Sequence, residues 1–333
     1  MKYLYFLLVL GPIAIAAEYM HAAPLVVFSL SALAIIPLSG LLGAATEELA
    51  GHTGPTIGGL LNATLGNLAE LIIAILALRA GMIDLVKASI TGSILGNLLL
   101  VLGAAQLAGG LKYKVQKFNP NLAGLSVSLL MIAVIGLVVP SIFFATHPDP
   151  AHVKTVRMSE FVAVALIVGY LLSLLYSMGT HKAVFGEGGD IASGETQPHW
   201  SLKRAIVMLL LAAAAIGWLS EVFVGLILVP IIGNAAEHSS AVLMAMKNRM
   251  DLAVSIAVGS SIQVALLIAP LLVFFGLVFG QPMDLAFQLM EIVSVALAVM
   301  VTSTVVRDAE SNWLEGAFLL LAYAVLGIAF FFY

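Results

Sequence analysis

The stretch GNLAELIIAILALRAGMIDLVKASITGS, residues 66–93, is followed later in the chain by GNAAEHSSAVLMAMKNRMDLAVSIAVGS, residues 233–260. The two segments align without a gap and share polar and small residues that chance seldom repeats at one spacing. The identities include Gly66/Gly233, Asn67/Asn234, Ala69/Ala236, Glu70/Glu237, Asp84/Asp251, Gly92/Gly259 and Ser93/Ser260. The chain therefore contains an internal repeat, which decides how the rest of the sequence is organised.

The composition places this repeat in a membrane protein. Of the 333 residues, 62% are hydrophobic and 10% are charged, and the mean hydropathy is +1.11. Soluble domains carry about 25% charged residues, so this chain has too little polar surface to dissolve. The lack of cysteine excludes disulfides, thiolate metal sites and thiol nucleophiles. The net charge of -4 is small and spread along the loops, so no nucleic-acid partner is expected.

Apolar runs long enough to cross a bilayer occur about eleven times, since a span needs about 20 mostly apolar residues. Lipid cannot satisfy open backbone groups, so the spans are predicted to be helices. The first run also resembles a signal peptide, but a second run follows almost at once, which favours a first span. The predicted spans are residues 3–20, 24–45, 56–80, 84–110, 122–145, 159–179, 202–219, 223–247, 251–280, 285–306 and 312–333.

The distribution of lysine and arginine predicts the orientation, because cytoplasmic loops are richer in both. The richer set of loops contains Lys2, Lys112, Lys114, Lys117, Lys182, Lys203, Arg204, Lys247, Arg249 and Arg307, and the poorer set contains Arg79, Lys87, Lys154 and Arg157. The N-terminus is therefore predicted to be cytoplasmic and the C-terminus outside, in a multi-pass protein of the cell membrane.

The repeat divides the chain into an extra transmembrane helix at 1–20, a five-helix repeat at 24–179, a cytoplasmic linker at 180–201 and a second five-helix repeat at 202–333. The two copies lie in the third and eighth spans, so they cross the membrane in opposite directions. Such inverted-topology repeats are typical of secondary transporters, with the ion site near the midplane. Two related halves supply one state open to each side, which predicts alternating access.

Glu70 and Glu237 are the candidate ion-binding groups. Each lies about fourteen residues into its predicted span, about 21 Å from the start of the helix and well inside the hydrocarbon. A carboxylate at that depth costs several kcal/mol unless it is paired, protonated or bound to a cation. Asn67 and Asn234 precede the glutamates by three residues and share their helix faces. The glycines before these asparagines permit a backbone break or a close helix approach, and Pro230 and Asn62–Thr64 indicate unwound turns. Carbonyl oxygens freed at such breaks would be further ligands.

Two carboxylates, two amide oxygens and freed carbonyls form an all-oxygen set of metal ligands. Ca²⁺ takes six to eight such ligands, whereas Mg²⁺ gives up its water reluctantly. Zn²⁺ and Cu⁺ prefer cysteine or several histidines, and His238 alone lies near. Two ionised glutamates with one Ca²⁺ are neutral, and two protonated glutamates are also neutral. This balance predicts obligatory exchange of Ca²⁺ for protons, with Ca²⁺ as substrate and with no cofactor.

Smaller polar residues of the same repeats have two interpretations each. Ser93 with Asn97, and Ser260 with Gln263, either line the ion site or bond neighbouring helices. His238 is either a proton acceptor near neutral pH or a packed histidine.

Acidic residues near the ends of other spans are less informative. Glu291 is expected at the membrane interface. Glu47 and Glu48 close the second span and form either a gate or a solvated helix end, of which the solvated end is preferred.

At this point the motifs resemble a known family. GNLAELIIA and GNAAEH, the tail SNWLEGAFLLLAY, and ATEELAGHTGPTIGGLLNATLGN from Ala45 are similar to the calcium/proton exchangers of the cation/Ca²⁺ antiporter superfamily. The resemblance implies an all-α membrane fold of eleven helices, arranged as one plus five plus five, with an acidic cytosolic segment between the halves. It also implies that Glu70 and Glu237 bind Ca²⁺ and exchange protons. The residues that it implies line the site are Asn67, Asn234, Ser93, Asn97, Ser260 and Gln263.

Two features depart from the family pattern. The linker holds only Glu187, Asp190 and Glu195 among glycines and polar residues, which favours a flexible linker over a calcium-regulatory segment. The seventh span is short, because Ala205 to Leu219 covers about 22 Å of helix.

Several alternatives remain open from the sequence. A sodium/calcium exchanger of the same superfamily is the nearest, although only two deep carboxylates favour protons, and exchange of another divalent cation for protons is another. A membrane enzyme is disfavoured because the paired sites are symmetric and do not combine a nucleophile with a base. A passive cation channel would need no coupling to protons. The source is expected to be prokaryotic, and a homo-oligomer is neither required nor excluded.

Overall fold

The computed structural model describes residues 2–53, 61, 64–147, 149, 152–181, 198–223 and 235–333. A 3-10 helix at Lys2–Val9 leads into the first α-helix. The helices are α1 (Leu10–Tyr19), α2 (Pro24–Thr53), α3 (Leu68–Arg79), α4 (Ile83–Lys112), α5 (Pro120–Thr146), α6 (Val153–Thr180), α7 (Leu202–Phe223), α8 (Ala235–Met246), α9 (Met250–Val278), α10 (Leu289–Val305) and α11 (Trp313–Phe332). Two short strands, β1 (Gln116–Lys117) and β2 (Glu310–Ser311), pair antiparallel.

The described helices overlap the predicted spans, so the prediction of a helical membrane protein is confirmed. In the described part of the chain, 7 helices are long and apolar enough to cross a membrane: α2, α4, α5, α6, α7, α9 and α11. The other described helices are shorter. The number of eleven crossings and their arrangement as one plus five plus five stay predictions.

The chain folds into two compact units. The first unit is Met1–Ser89 with Asp190–Glu237, and the second is Ile90–Gly189 with His238–Tyr333. Each unit therefore takes segments from both of the repeats predicted from sequence. The predicted division at 24–179 and 202–333 describes the repeat of the sequence, whereas these units describe packing.

The first unit packs α1, α2, α3 and α7 around one apolar core. Ala14 of α1, Ile35 and Leu42 of α2, Ile73 of α3 and Ile216 of α7 all belong to this core and are buried. Small residues let the helices approach closely, and the larger aliphatic side chains fill the space between them. The core places α3, which contains Glu70, against rigid neighbours.

Helix α7 is longer than its sequence suggested. The helix runs from Leu202 to Phe223 and has 22 residues, which is about 33 Å. The apolar span ends at Leu219, as predicted, whereas the helix continues to Phe223. The helix continues through the polar pair at Ser220 and Glu221, because polar residues near the end of a span do not break a helix as Pro or Gly would.

In the second unit, α4 and α11 approach each other through glycines. A Cβ atom added at Gly316 would clash with the backbone nitrogen of Leu107, and one added at Gly110 would clash with that of Trp313. Gly103 faces Gly316 and Leu319 in the same way. Such small-residue contacts let two helix backbones pack at close range within a membrane.

Connections at one end of the second unit are tied together by hydrogen bonds. Lys112 Nζ donates to the Met246 carbonyl at 2.8 Å, and Gln116 Nε2 donates to the Ala245 carbonyl at 2.8 Å. The pairing of β1 with β2 adds the connection between α10 and α11. The connections that follow α4, α8 and α10 therefore lie at one end, as the predicted alternation of spans requires.

Connections at the other end of the second unit are joined by side chains that satisfy backbone groups. Ser159 Oγ accepts from Leu285 N at 2.9 Å, and Ser141 Oγ accepts from Phe287 N at 2.9 Å. The segment before α10 is thereby fixed to α5 and α6. These two hydrogen bonds give partners to the backbone N–H groups of Leu285 and Phe287, which would otherwise be buried without one.

Two of the acidic side chains near span ends have structural partners. The Glu291 carboxylate accepts from Gln288 N at 2.9 Å and completes a capping box at the start of α10, where it is buried. Glu48 Oε2 accepts from Trp200 N at 2.9 Å, within the first unit, while Glu47 is exposed. The expectation that Glu291 is merely interfacial missed its capping role.

Candidate functional site

Glu70 lies at the start of a helix. The chain turns at Gly66 and Asn67, and α3 begins at Leu68. Asn67 occupies the N-cap position, and its carbonyl oxygen accepts from Leu71 N at 3.1 Å. Glu70 is therefore in the first turn of α3 and is part-buried.

The predicted span over 56–80 is interrupted at Gly66 and Asn67, where the glycine was expected to permit a backbone break. Glycine is entropically unfavourable in a helix, and asparagine competes for backbone hydrogen bonds, so the pair favours a break. The unwound turn had been expected near Asn62–Thr64, of which residues 62 and 63 lie outside the described part. A helix start leaves N–H groups unpaired and carries partial positive charge, which stabilises a carboxylate such as that of Glu70.

Glu237 occupies the matching position in the second copy of the repeat. The described part of helix α8 covers Ala235–Met246 and contains Glu237, which aligns with Glu70 of α3. Asn234 and the side chain of Glu237 lie outside the described residues, as does Pro230. The backbone of α8 thus repeats the placement of the first glutamate.

The second unit brings Asn97 of the first repeat together with two residues of the second repeat. Asn97 Nδ2 donates to Ser260 Oγ at 3.0 Å, and Asn97 Oδ1 lies 3.2 Å from His238 Nε2. The side chains of Asn97 and Ser260 are buried. Helices α4, α8 and α9 are therefore joined by one short chain of polar side chains.

The amide oxygen of Asn97 faces His238. Asn97 Oδ1 is a carbonyl oxygen and only accepts, so Nε2 of His238 is the donor. The Nδ1 atom of His238 is then the ring nitrogen that would take a second proton. Sequence spacing placed His238 beside Glu237, but it gave no signal that His238 would bond Asn97 in another helix.

Ser93 and Gln263 complete the polar residues predicted for the site. Ser93 lies one turn before Asn97 on α4, and Gln263 lies about one turn after Ser260 on α9. Both are buried, at 4% and 6% exposure. Whether these side chains bind the ion or join helices is not decided by burial alone, and their role as ligands stays a prediction.

A feature that sequence reasoning missed lies next to these residues. Helix α4 is π-helical over Gly96–Val101, and α9 is π-helical over Val264–Ile268. The two segments fall at matching positions of the repeat, and the first includes Asn97 while the second follows Gln263. A π-helical turn inserts an extra residue into a helix and is frequent at functional sites. The sequence analysis did not predict either π-helical segment.

The residues described so far offer oxygen donors from several helices. A carboxylate at a helix start, buried amide groups and serine hydroxyls are the ligands that hard cations prefer. Within the second unit, Asn97 Oδ1 and Ser260 Oγ each take part in a hydrogen bond.

Comparison with known proteins supports this chemistry. The family model described as sodium/calcium exchanger protein matches residues 23–179 and 202–332. A Ca²⁺/H⁺ antiporter of Aphanothece halophytica is 43% identical over 98% of this chain and 95% of its own length. A Ca²⁺/H⁺ antiporter of Bacillus subtilis is 40% identical over 99% of both chains. Among solved structures, native YfkE matches with a TM-score of 0.84 and 36% identity, over 99% of this chain and 100% of that one.

The matches run over nearly the whole chain and include both copies of the repeat. They agree with the helical transporter fold described above. The chain belongs to the calcium/proton exchanger family, within the larger group of sodium/calcium exchanger proteins.

Proposed function

We propose that this protein is a secondary transporter, and not an enzyme, that exchanges Ca²⁺ for H⁺ across the membrane by alternating access. The observation that carries the proposal is the pair of repeat-related glutamates, each on a helix at the matching position of its repeat. Relatives that match almost the whole chain are named Ca²⁺/H⁺ antiporters, which supports the same exchange here.

Glu70 and Glu237 would bind the ion and take up protons when it leaves. With Ca²⁺ bound, two ionised glutamates cancel the charge of the ion, and without it two protons do the same. An empty and doubly ionised pair would carry two negative charges in a low dielectric, where a buried charge is costly. This penalty hinders the transporter from switching sides while its site is empty and unprotonated. The exchange of Ca²⁺ for protons is therefore obligatory.

Neutral oxygen atoms would complete the ligands of the ion. The residues assigned to this role are Asn67, Asn234, Ser93, Asn97, Ser260 and Gln263. The hydrogen bond from His238 Nε2 to Asn97 supports a role for the histidine in orienting this amide. A role of His238 in carrying protons, through Nδ1, is the alternative.

The arrangement in the membrane follows from the same proposal. The lysine and arginine bias places the N-terminus in the cytoplasm, and eleven spans, as one plus five plus five, then place the C-terminus outside. The clustering of the connections after α4, α8 and α10 at one end of the second unit supports this alternation.

A sodium/calcium exchanger is the second candidate, because the matching family model is described by that name. Sodium/calcium exchange would require sites for several ions. The sequence repeats only one deep carboxylate per copy, which favours protons as the coupling ion.

Ca²⁺ uptake into proteoliposomes separates the two candidates. The purified protein is reconstituted, and uptake is measured after imposing a pH gradient or, separately, a Na⁺ gradient. Saturable uptake that follows only the pH gradient is expected. Uptake driven by Na⁺ alone would identify a sodium/calcium exchanger, and non-saturating uptake with neither gradient would identify a channel.

A further inference from the structure

Five exposed cationic side chains gather at one end of the second unit. They lie at the end of α4 or just after it, between α8 and α9, or after α10. Together they are called the basic end and comprise Lys112, Lys114, Lys247, Arg249 and Arg307. The positive-inside tendency accounts for their being on one side of a membrane. It does not account for their being held together by the fold.

The connections that contain these residues are fixed to one another. Lys112 Nζ donates to the Met246 carbonyl at 2.8 Å, next to Lys247 in the chain. Gln116 Nε2 donates both to the Ala245 carbonyl and to Asn248 Oδ1, at 2.8 and 3.0 Å. Lys247 and Arg249 flank Asn248, so they are held beside the connection that carries Lys114.

The strand pair adds the last connection. Phe118 N donates to the Ala309 carbonyl at 3.0 Å, beside the pairing of β1 with β2. Arg307 lies two residues before Ala309 and is exposed. The fold therefore concentrates the five cations on one surface.

The carboxylates of this region are occupied elsewhere. Glu310 pairs with Lys117 at 3.0 Å, which is why Lys117 is not counted in the basic end. Asp251 accepts from Asn119 N at 2.6 Å, and Asp308 accepts from Glu310 N at 3.1 Å. Among the residues that the structure describes, none of the five cations has a carboxylate within ion-pair distance. Asp251 and Asp308 keep their negative charge when they accept from backbone N–H groups, but the five cations outnumber these two carboxylates, so the surface carries a net positive charge.

Exposed apolar and aromatic side chains border the same surface. Leu111, Val115 and Trp313 are 71%, 51% and 48% exposed. Lys112 Nζ lies 5.3 Å from the ring centre of Tyr113. Tryptophan and tyrosine mark the level of lipid headgroups in membrane proteins, and exposed Leu and Val suit the acyl region just below. A surface that meets water alone would not combine these features.

We propose that the basic end binds anionic phospholipid headgroups of the bilayer that surrounds the protein. The phosphate groups would accept hydrogen bonds from the lysines and arginines, while Leu111, Val115 and Trp313 contact the upper acyl chains. Basic clusters beside a membrane span attract anionic lipid, with an energy that falls within a Debye length. The proposal concerns lipid and is independent of which ion is exchanged.

Trp313 supplies a fluorescent reporter within this surface. The full-length protein with Trp200→Phe and Trp218→Phe is reconstituted in bilayers that contain brominated phosphatidylglycerol or brominated phosphatidylcholine. Bromine quenches tryptophan at contact range, so the ratio of quenching gives the relative binding of the two lipids. If this background fails to fold, the difference between the parent and Trp313→Phe measures the same signal.

Stronger quenching by the anionic lipid is expected, and the preference should weaken as NaCl is raised. The variant K247Q/R249Q should lose up to about fivefold of the preference per removed cation at low salt. The matched control K154Q/R157Q removes one lysine and one arginine from the start of α6, at the other end of the unit, and should keep the preference.

Three results would overturn the proposal. Equal quenching by the two lipids would show no selectivity for anionic headgroups. An unchanged preference in K247Q/R249Q would place the selectivity elsewhere. Inorganic phosphate that displaces the lipid more strongly than NaCl of equal ionic strength would identify a site for soluble phosphate instead.

Discussion

Both polar atoms of the Asn97 side chain form hydrogen bonds within the protein. The oxygen bonds His238, and the nitrogen donates to Ser260. A buried amide that loses such a partner costs about 1–3 kcal/mol. The replacement His238→Ala should therefore misplace Asn97 and raise the KM for Ca²⁺ roughly tenfold. Initial rates of Ca²⁺ uptake over a range of Ca²⁺ concentrations measure this change.

The replacement His238→Gln separates orientation from proton transfer. Glutamine retains an N–H donor for Asn97 but does not titrate near neutral pH. Recovery of the KM with an unchanged pH profile is expected if His238 orients Asn97. A normal KM with an altered pH profile would instead assign His238 to proton movement.

At the scale of residues, the sequence was informative where the repeat supplied a second copy. The match of Glu70 with Glu237 identified the two carboxylates without any structure. The bond between His238 and Asn97 had no such signal. Spacing along a chain gives the face of one helix but not its height relative to another helix.

At the scale of elements, the close approach of α4 and α11 depends on glycine at position 316. A Cβ at this position would meet the backbone of Leu107 and Gly103, which cannot yield as a flexible side chain would. Gly316→Ala is expected to destabilise the protein by about 1–3 kcal/mol, the usual cost of overpacking. Thermal unfolding in detergent, followed by tryptophan fluorescence, measures the loss.

Gly327 provides the matched control in the same helix. A Cβ at Gly327 meets no atom within 4 Å, and alanine favours a helix over glycine by about 1 kcal/mol. Gly327→Ala should therefore leave the unfolding midpoint unchanged or raise it slightly. Equal losses in both variants would disprove the account of the helix contact.

Helix positions were predictable from apolar runs, and a break at Gly66 was expected because glycine permits one, whereas the π-helical segments were not predicted. The runs located α5 and α9 within a few residues because a span has a required length. A short turn or a π-helical segment hardly changes the length of a span. The length of an apolar run therefore does not reveal either of them. The true end of α7 was missed for a related reason, since polarity marks where a span meets water and not where a helix stops.

At the scale of the whole molecule, the predicted orientation places Lys114 in the cytoplasm and Lys154 outside. The chain contains no cysteine, so Lys114→Cys and Lys154→Cys each introduce a single reactive thiol. Both positions are exposed. A membrane-impermeant maleimide should label Lys154→Cys in intact cells and Lys114→Cys only after the membrane is opened. The reverse pattern would invert the topology.

The sequence predicted a helical membrane protein because few architectures can span a bilayer. Apolar runs, the lysine and arginine bias and the inverted repeat each constrained the whole chain. The division into two compact units was not foreseen, because each unit combines helices from both repeats. Packing of that kind depends on contacts between segments that are distant in sequence.

The central claim is that Glu70 and Glu237 exchange Ca²⁺ for protons, and the most direct test follows Ca²⁺ uptake and internal pH together in one set of proteoliposomes. Glu70→Gln and Glu237→Gln keep the size of the side chain and remove its charge, while Glu160→Gln alters a part-buried glutamate of α6 outside the repeat motifs. Both fluxes should fall roughly a hundredfold or more in the first two variants, because the ion loses a buried counter-charge, and should stay coupled in the third. Coupled Ca²⁺ and proton flux that persists in Glu70→Gln or Glu237→Gln would contradict the account.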